Sequence, residues 1–383
     1  MVNDTLTQRR RLVAEYRDYT DKYFLRTKRI LQKERINPLV RYQVFARQDV
    51  NRLTGIEEAV SFIKDAAGNN AKVYALEDRM EYNAKEPIMK IEGRVQDIVD
   101  LETVYLGLLA GSLSGKIDMA EVRKKAGDIV NAAEGKPVFY FGARHFSPYL
   151  DEQIARICKE EGFVACSTDI GAKAWNAKGA GTIPHALVMS YAAFIRENNI
   201  DANPTVEAAK GFDKSIDKAV PRITLIDTFN REITDSLATA GAIKDIAGFR
   251  IDTCGENFAE GANNVELPEL KVPEKYLRCG GVTIPAVWAL RNALDNNGYG
   301  NLELVVSSGF NAEKTAAFVK ADKAYNQIYG KLLFNTIGTG SVANPLMATS
   351  DIVAYFSEKE DKWIPLAKAG REEVKSEMLK EAK

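Results

Sequence analysis

Polar residues recur at one kind of place in the middle of this chain, just after short apolar runs that read as β-strands. In order they are Arg144 in FYFGARHFSP, Asp169 in VACSTDIGA, His185 in GTIPHAL and Asp227 in ITLIDTF. Arg250 and Asp252 come next in GFRIDTCGE, then Ser307-Ser308-Gly309 in ELVVSSG and Gly338-Thr339-Gly340 in FNTIGTG. Side chains alternate along a strand, so Arg250 and Asp252 share a face. Such a pair can grip a phosphorylated sugar, the guanidinium on phosphate and the carboxylate on hydroxyls or a metal ion. A salt bridge that only caps the strands is the plainer alternative. Asp227 belongs with this pair. The glycine loop at 338–340 offers backbone N–H groups to an anion, and the Ser307–Gly309 loop stands beside it in chain order.

The chain has two histidines. A lone histidine is ordinarily a core residue, but His185 stands among the other polar ends, as the end of a short strand; His145, directly after Arg144, is the weaker candidate. At least one of Phe139, Tyr140 and Phe141 must face the same mouth, where it can stack on a flat ring whose carboxylate Arg144 would neutralise. Absent are a phosphate-binding Walker loop, a G-x-G-x-x-G after the first strand, H-E-x-x-H and G-x-S-x-G. No lysine ends one of these strands, which argues against Schiff-base chemistry.

What positions such residues is a βα alternation that starts at Pro137. Its helical units, such as DEQIARICKEEG and NREITDSLATAGAIKDIAG, each lead into the next apolar run. That is the pattern of a (β/α) barrel, with its site on the carboxyl ends of the strands. Before Pro137 lie a strand in KVYALED, an extended EPIMKIEG, and a helix whose Leu101, Val104, Tyr105, Leu108 and Leu109 form one stripe ended by Gly111 and Gly115. Asp118 caps the next helix. The tail, DIVAYFSEKEDKWIPLAKAGR, reads as a hairpin that cannot close a core alone and must return to the N-terminal part. The expected architecture is therefore α/β: an irregular (β/α) barrel over 137–345, and an α/β sandwich domain from 1–136 and 346–383. The irregular stretch 256–276 is expected as a loop over the barrel mouth.

With 383 residues, 52 basic against 53 acidic and a net charge of −1, nothing global points to nucleic acid. Arg9-Arg10-Arg11 reads as a solvated helix start. The N-terminal segment has no apolar core of a signal peptide. The apolar stretch from Val104 to Leu113 is about half of the ~20 residues a membrane span needs. Four cysteines without C-x-x-C spacing read as free thiols in a reducing compartment, so a cytoplasmic location is expected.

Taken together, FGARHFSP, GTIPHAL, LIDTF, FRIDTCGE, SSGFNAEK and FNTIGTG, with TDKYFLRT and YNAKEPIMKIEG-x9-ET-x3-LG before them, resemble the nicotinate phosphoribosyltransferases, type II phosphoribosyltransferases of the short archaeal and bacterial kind. The likeness runs from about residue 20 to the end of the barrel, and GTIPHAL and EP-x-M-x-IEG are its most specific parts. It implies transfer of phosphoribose from phosphoribosyl pyrophosphate to a pyridine carboxylate, giving nicotinate mononucleotide in NAD salvage. A pyridine nitrogen already carries its lone pair, so no general base is needed; charge placement and Mg²⁺ must stabilise an oxocarbenium-like ribose and the departing pyrophosphate.

By resemblance, Asp227 and Asp252 hold the ribose side, Asp252 also meeting Mg²⁺ through pyrophosphate, and Arg250 contacts phosphate. Ser308, Gly309, Gly338, Thr339 and Gly340 cradle the 5′-phosphate. Phe141 stacks on the ring, Arg144 takes its carboxylate, and Thr182 lies in the substrate-binding segment. His185 matches the histidine that ATP, a co-substrate, phosphorylates. Tyr23 matches an aromatic that completes the site from a neighbouring subunit, which implies a homodimer or higher assembly. A four-cysteine zinc module found at the end of several family members has no counterpart. Asp169 stands where a neutral residue is usual and would select nicotinamide over nicotinate; a shift of one residue puts Thr168 there. Quinolinate, with two carboxylates, would need more cations than Arg144 and Lys173 supply. A ligand-binding paralogue without turnover, or a phosphate-binding barrel lyase or isomerase using Asp227 and His185 as acid and base, are the readings from other classes.

Overall fold

The structure, a computed structural model, describes residues 2–382. Strands occur as β1 (Leu39–Ala46), β2 (Ala71–Ala75), β3 (Pro87–Arg94), β4 (Val138–Tyr140), β5 (Ala165–Cys166) and β6 (Ile223–Leu225). They continue with β7 (Gly248–Ile251), β8 (Glu303–Val306), β9 (Thr336–Thr339), β10 (Ala348–Ser357), β11 (Lys362–Pro365) and β12 (Lys380–Glu381). These form two sheets. One is antiparallel, in the order β11-β10-β1-β3-β2-β12; the other is parallel, in the order β5-β4-β9-β8-β7-β6.

The parallel strands are two to four residues long, and helices separate them in sequence, as the βα alternation predicts. The sheet curls but does not close. β5 and β6 are its edges, and the 167–222 segment between them supplies helices, not a strand. The GTIPHAL run is accordingly not a strand. Pro184 precedes a helix, His185–Glu197, so His185 is a helix-opening residue. Proline lacks the N–H a ladder needs but suits the start of a helix.

The antiparallel sheet takes strands from both ends of the chain. β10 pairs with β1 along seven residues and β11 pairs with β10, so the tail hairpin does return to the N-terminal part. β1, rich in alternating apolar residues, is central there and went unread in the sequence. The Glu102–Ser114 helix differs from its expected single stripe: every residue from Glu102 to Ala110 is buried, and Gly111 lies inside the helix. Helix Ile56–Ala67, β10 and the segment around residues 143–148 pack around it. Helix Met119–Ala133 does start at Asp118, whose carboxylate accepts from the Ala120 N–H at 2.9 Å. No single helix among the described residues is long and apolar enough to cross a membrane. Four cysteines are free thiols, three of them buried.

Residues 256–276 are tied to segments that follow the carboxyl ends of β6 and β8: Asn230 donates to the Phe258 carbonyl (2.8 Å), Thr234 to Glu260 (2.6 Å) and Tyr276 to Glu313 (2.9 Å).

Candidate active site

At the carboxyl ends of β4, β7, β8 and β9, against the inner face of the antiparallel sheet, lies a cavity of about 770 Å³. Its wall includes Phe141, Arg144, His185, Arg250, Asp252, Ser308, Gly309 and Gly338–Gly340. The predicted residues are therefore brought together, with four exceptions. Asp227 stands one layer behind the wall. Thr182 is buried, its hydroxyl donating to the Ile183 carbonyl at 3.4 Å. Thr168 and Asp169 face away.

The Arg250 side chain is buried at 5% exposure, and its Nη2 lies 4.0 Å from Asp252 Oδ2. Its Nε–H has no partner. A buried guanidinium donor left unpaired costs free energy unless an anion completes it. Asp252 accepts from the Ser307 hydroxyl at 2.8 Å. Its carboxyl is held well below the usual range: burial opposes this, but the nearby cations Arg250 and Lys368 outweigh burial. It is thus a fixed carboxylate.

Ser308 and Gly309 both adopt positive φ, 78° and 70°. For serine that is an uncommon conformation, held here because Lys314 Nζ bonds the Ser308 carbonyl at 2.8 Å. Directly behind begins the 18-residue helix Ala312–Tyr329, capped by Asn311, with its positive end at this loop. The 338–340 loop is less free than its glycines imply. The Thr339 hydroxyl donates to the Phe310 carbonyl (2.7 Å) and accepts from the Ser341 N–H (3.0 Å). Gly338 is needed for another reason: a Cβ there would overlap the Phe141 ring.

On the other side of the cavity, Arg144 Nη1 lies 3.2 Å from Glu102 Oε1, both side chains lining the wall. Burial pushes the Glu102 carboxyl up to about 8, against the pull of Arg144. Tyr23 is 4% exposed, with the Arg144 and Arg250 guanidinium carbons 5.8 and 5.7 Å from its ring centre. It lines the cavity of its own chain. His145 also lines it, donating from Nδ1 to the Gly340 carbonyl at 3.3 Å; burial and Arg144 push its pKa down to about 3, so the ring is neutral.

Asp169 bonds Lys22 at 2.5 Å and the Gly179 N–H at 2.8 Å, outside the cavity. Thr168 caps the four-residue helix Asp169–Ala172 and donates to Asp151 at 2.5 Å. Neither is among the residues that line the cavity. Lys173 lines a separate shallow surface groove.

Sequence reading missed Lys368. This residue, just past β11, reaches across from the antiparallel sheet, 6% exposed, into the centre of the polar cluster. Its Nζ lies 2.7 Å from His185 Nε2, 2.8 Å from Asp227 Oδ2 and 3.2 Å from the Asp252 carbonyl. His185 Nδ1 is 3.0 Å from the Thr228 hydroxyl. Burial first, then Lys368, pushes the His185 pKa down, so its imidazole is neutral. The one clue in sequence was that the tail hairpin ended near this lysine.

Among the described residues no group of three His, Cys, Asp or Glu could hold a metal by itself. Mg²⁺ commonly needs only one or two carboxylates plus substrate phosphates and water. The exposed edge of Asp252 fits that role.

The family model for the quinolinate phosphoribosyl transferase N-terminal domain matches residues 21–113. A nicotinate phosphoribosyltransferase structure from Porphyromonas gingivalis superposes with a TM-score of 0.60, at 12% identity, over 91% of this chain and 92% of its own. One from Vibrio cholerae gives the same score and identity, over 91% and 89%. A nicotinate-nucleotide pyrophosphorylase from Pyrococcus furiosus is 28% identical over 93% of this chain and 79% of its own; at a TM-score of 0.42 it says nothing of the fold. Residues 21–113 thus resemble that N-terminal domain, and over most of its length the chain has the fold of the two nicotinate phosphoribosyltransferase structures.

Proposed function

We propose that this protein transfers phosphoribose from phosphoribosyl pyrophosphate to nicotinate, with ATP stimulating the reaction through His185. The observation that carries the reading is the pairing of two seats in one cavity. Phe141 and Arg144 offer a stacking face and a cation for a pyridine carboxylate. Across from them, Arg250 with its unpaired Nε–H, Asp252 and the Ser308–Gly309 loop offer a seat for a ribose phosphate.

In the reaction the pyridine nitrogen lone pair forms a bond to ribose C1′ while the C1′–oxygen bond breaks and pyrophosphate leaves with that electron pair. The protein's work is electrostatic. Asp252, held ionised, faces the developing positive charge on ribose. Arg250 and the N-terminus of the Ala312–Tyr329 helix face the phosphates. Asp227 does not touch substrate in this geometry; it holds Lys368 and His185. Mg²⁺, carried on pyrophosphate and met by Asp252, would neutralise the leaving group's charge. A cytoplasmic location and a homodimer are part of this proposal, although Tyr23 needs no second chain to reach the cavity.

Quinolinate is the second reading, because the matched N-terminal domain is of that type. Decarboxylation would then drive the reaction and leave His185 without a phosphoryl role. The test is mononucleotide formation from phosphoribosyl pyrophosphate and Mg²⁺ with nicotinate, nicotinamide or quinolinate, each with and without ATP. Turnover of nicotinate that rises with ATP, and loses that rise in His185→Ala, supports the proposal. Turnover of quinolinate alone, indifferent to ATP, replaces it with the second reading.

A further inference from the structure

We infer that Lys368 is a positioning residue for His185, holding the imidazole in the tautomer whose Nε2 lone pair faces the cavity and releasing that nitrogen to an arriving phosphoryl group. The inference rests on the reading of His185 as a phosphoryl acceptor, but its structural half can be tested without it.

An ammonium has three donors and no acceptor. Three acceptors surround Lys368 Nζ: His185 Nε2 (2.7 Å), Asp227 Oδ2 (2.8 Å) and the Asp252 carbonyl (3.2 Å). Its donors are thus all used, and His185 Nε2 must accept. The ring proton then sits on Nδ1 and is donated to the Thr228 hydroxyl at 3.0 Å. Burial pulls against the charge on Lys368, but Asp227, Asp252 and Asp351 hold the ammonium protonated. A neutral imidazole with a free Nε2 lone pair is the nucleophilic form.

The carboxylates around the ring would give the opposite tautomer without this lysine. Asp227 Oδ2 and Asp252 Oδ2 lie 3.5 and 3.9 Å from Nε2. Both are acceptors, and either would draw the ring proton onto Nε2, removing its lone pair. Lys368 satisfies Asp227 and occupies Nε2 at once, so it decides between the two forms. Its backbone is strapped for the task. The Ala369 N–H donates to the Thr228 carbonyl (3.0 Å), after β6, and the Cys254 thiol to the Ala369 carbonyl (3.4 Å), after β7.

In the step itself the Nε2 lone pair attacks the γ-phosphorus of a nucleoside triphosphate. The N–P bond forms, the bond from phosphorus to the β-phosphate oxygen breaks, and the nucleoside diphosphate leaves with that electron pair. The ring keeps its Nδ1 proton, hydrogen-bonded to the Thr228 hydroxyl, and the positive charge that attack leaves on it is offset by the phosphoryl oxygens. The ammonium exchanges its bond to Nε2 for the phosphoryl oxygens.

Two readouts test this on the full-length protein. With only two histidines in the chain, the ¹⁵N imidazole spectrum is simple, and His185→Asn identifies the His185 signals. Wild type should show a protonated Nδ1 and an unprotonated Nε2 at His185; Lys368→Met should reverse them, and Lys368→Arg should keep them. Label from γ-³²P-ATP, stable to base and labile to acid, should appear on wild type. It should form at least about tenfold more slowly on Lys368→Met, an effect the size of one positioned hydrogen bond. If Lys368→Met does not fold, Lys368→Gln takes its place in both measurements. A wild-type tautomer and labelling rate in the Met or Gln variant would overturn the inference while leaving the phosphoryl-acceptor reading intact. Absence of label on wild type, with the tautomer reversing as expected, would overturn that reading and keep the assignment of Lys368.

Discussion

Arg144 has two claims on its guanidinium: Glu102, 3.2 Å away in the same wall, and the substrate carboxylate proposed for it. The protonation of Glu102 settles which wins. Burial, with Asp351 and Asp21 adding to it and Arg144 opposing, raises its carboxyl from 4.5 to about 8. Below pH 8 Glu102 is neutral in the fold and leaves Arg144 free; above it, the ionised carboxylate neutralises Arg144 and repels nicotinate. The Michaelis constant for nicotinate should therefore rise as pH passes 8, and Glu102→Gln should flatten that rise; an unchanged profile in the variant would show that Glu102 is not the competitor. The linked stability has the same sign. The fold holds a proton that the unfolded chain releases near 4.5, so this contribution is full below that pH and lost as pH rises through about 8. Replacing Arg144 with Met should lower kcat/KM for nicotinate roughly 10- to 150-fold, the worth of about 1.5–3 kcal/mol in a charge-assisted hydrogen bond. The Michaelis constant for phosphoribosyl pyrophosphate should move far less.

At the scale of elements, the site depends on strand ends and on the loops and helices that they lead into. Gly338, the penultimate residue of β9, pairs with Phe139 of β4, and its missing Cβ is the space the Phe141 ring occupies. Gly338→Ala should displace that ring, cost about 1–3 kcal/mol by overpacking and raise the Michaelis constant for the pyridine. Wild-type thermal stability together with unaltered pyridine binding would show that the ring has room to yield. His185 illustrates what a short motif hides. GTIPHAL carries alternating apolar residues that suit a strand, yet Pro184 and the apolar periodicity after it make His185 open a helix. A helix N-terminus disfavours a cation, which agrees with the neutral ring found there.

At the scale of the whole molecule, one sheet carries the strand ends that line the cavity and the other sends Lys368 into the polar cluster there. The tail is thus part of the site as far as this lysine and Arg371, which also lines the cavity and pairs with Glu256 at 3.2 Å. Beyond that, Glu373 bonds Lys90 at 2.6 Å, and β12 adds two exposed residues at the sheet edge. Removing residues 377–383 should cost no more than about 1 kcal/mol, a Tm shift of about 2 °C, with activity kept. Removing everything after residue 366 should abolish the ATP stimulation proposed to act through His185. Equal activity in both truncations would place Lys368 outside the mechanism.

Much of this was legible in the sequence for a definite reason. Apolar runs ending in polar residues mark parallel strands whose carboxyl ends form a site, because a strand buried on both faces can place chemistry only where it ends. Arg144, Arg250, Asp252, Ser308 and Gly338 were found by that rule alone. Local sequence could not show the ion pair of Asp169 with Lys22, which joins positions 147 residues apart. Nor could it find Lys368, whose partners His185 and Asp227 precede it by 183 and 141 residues. Strand ends are written in local periodicity; which distant charges meet at them is decided only when the two sheets pack.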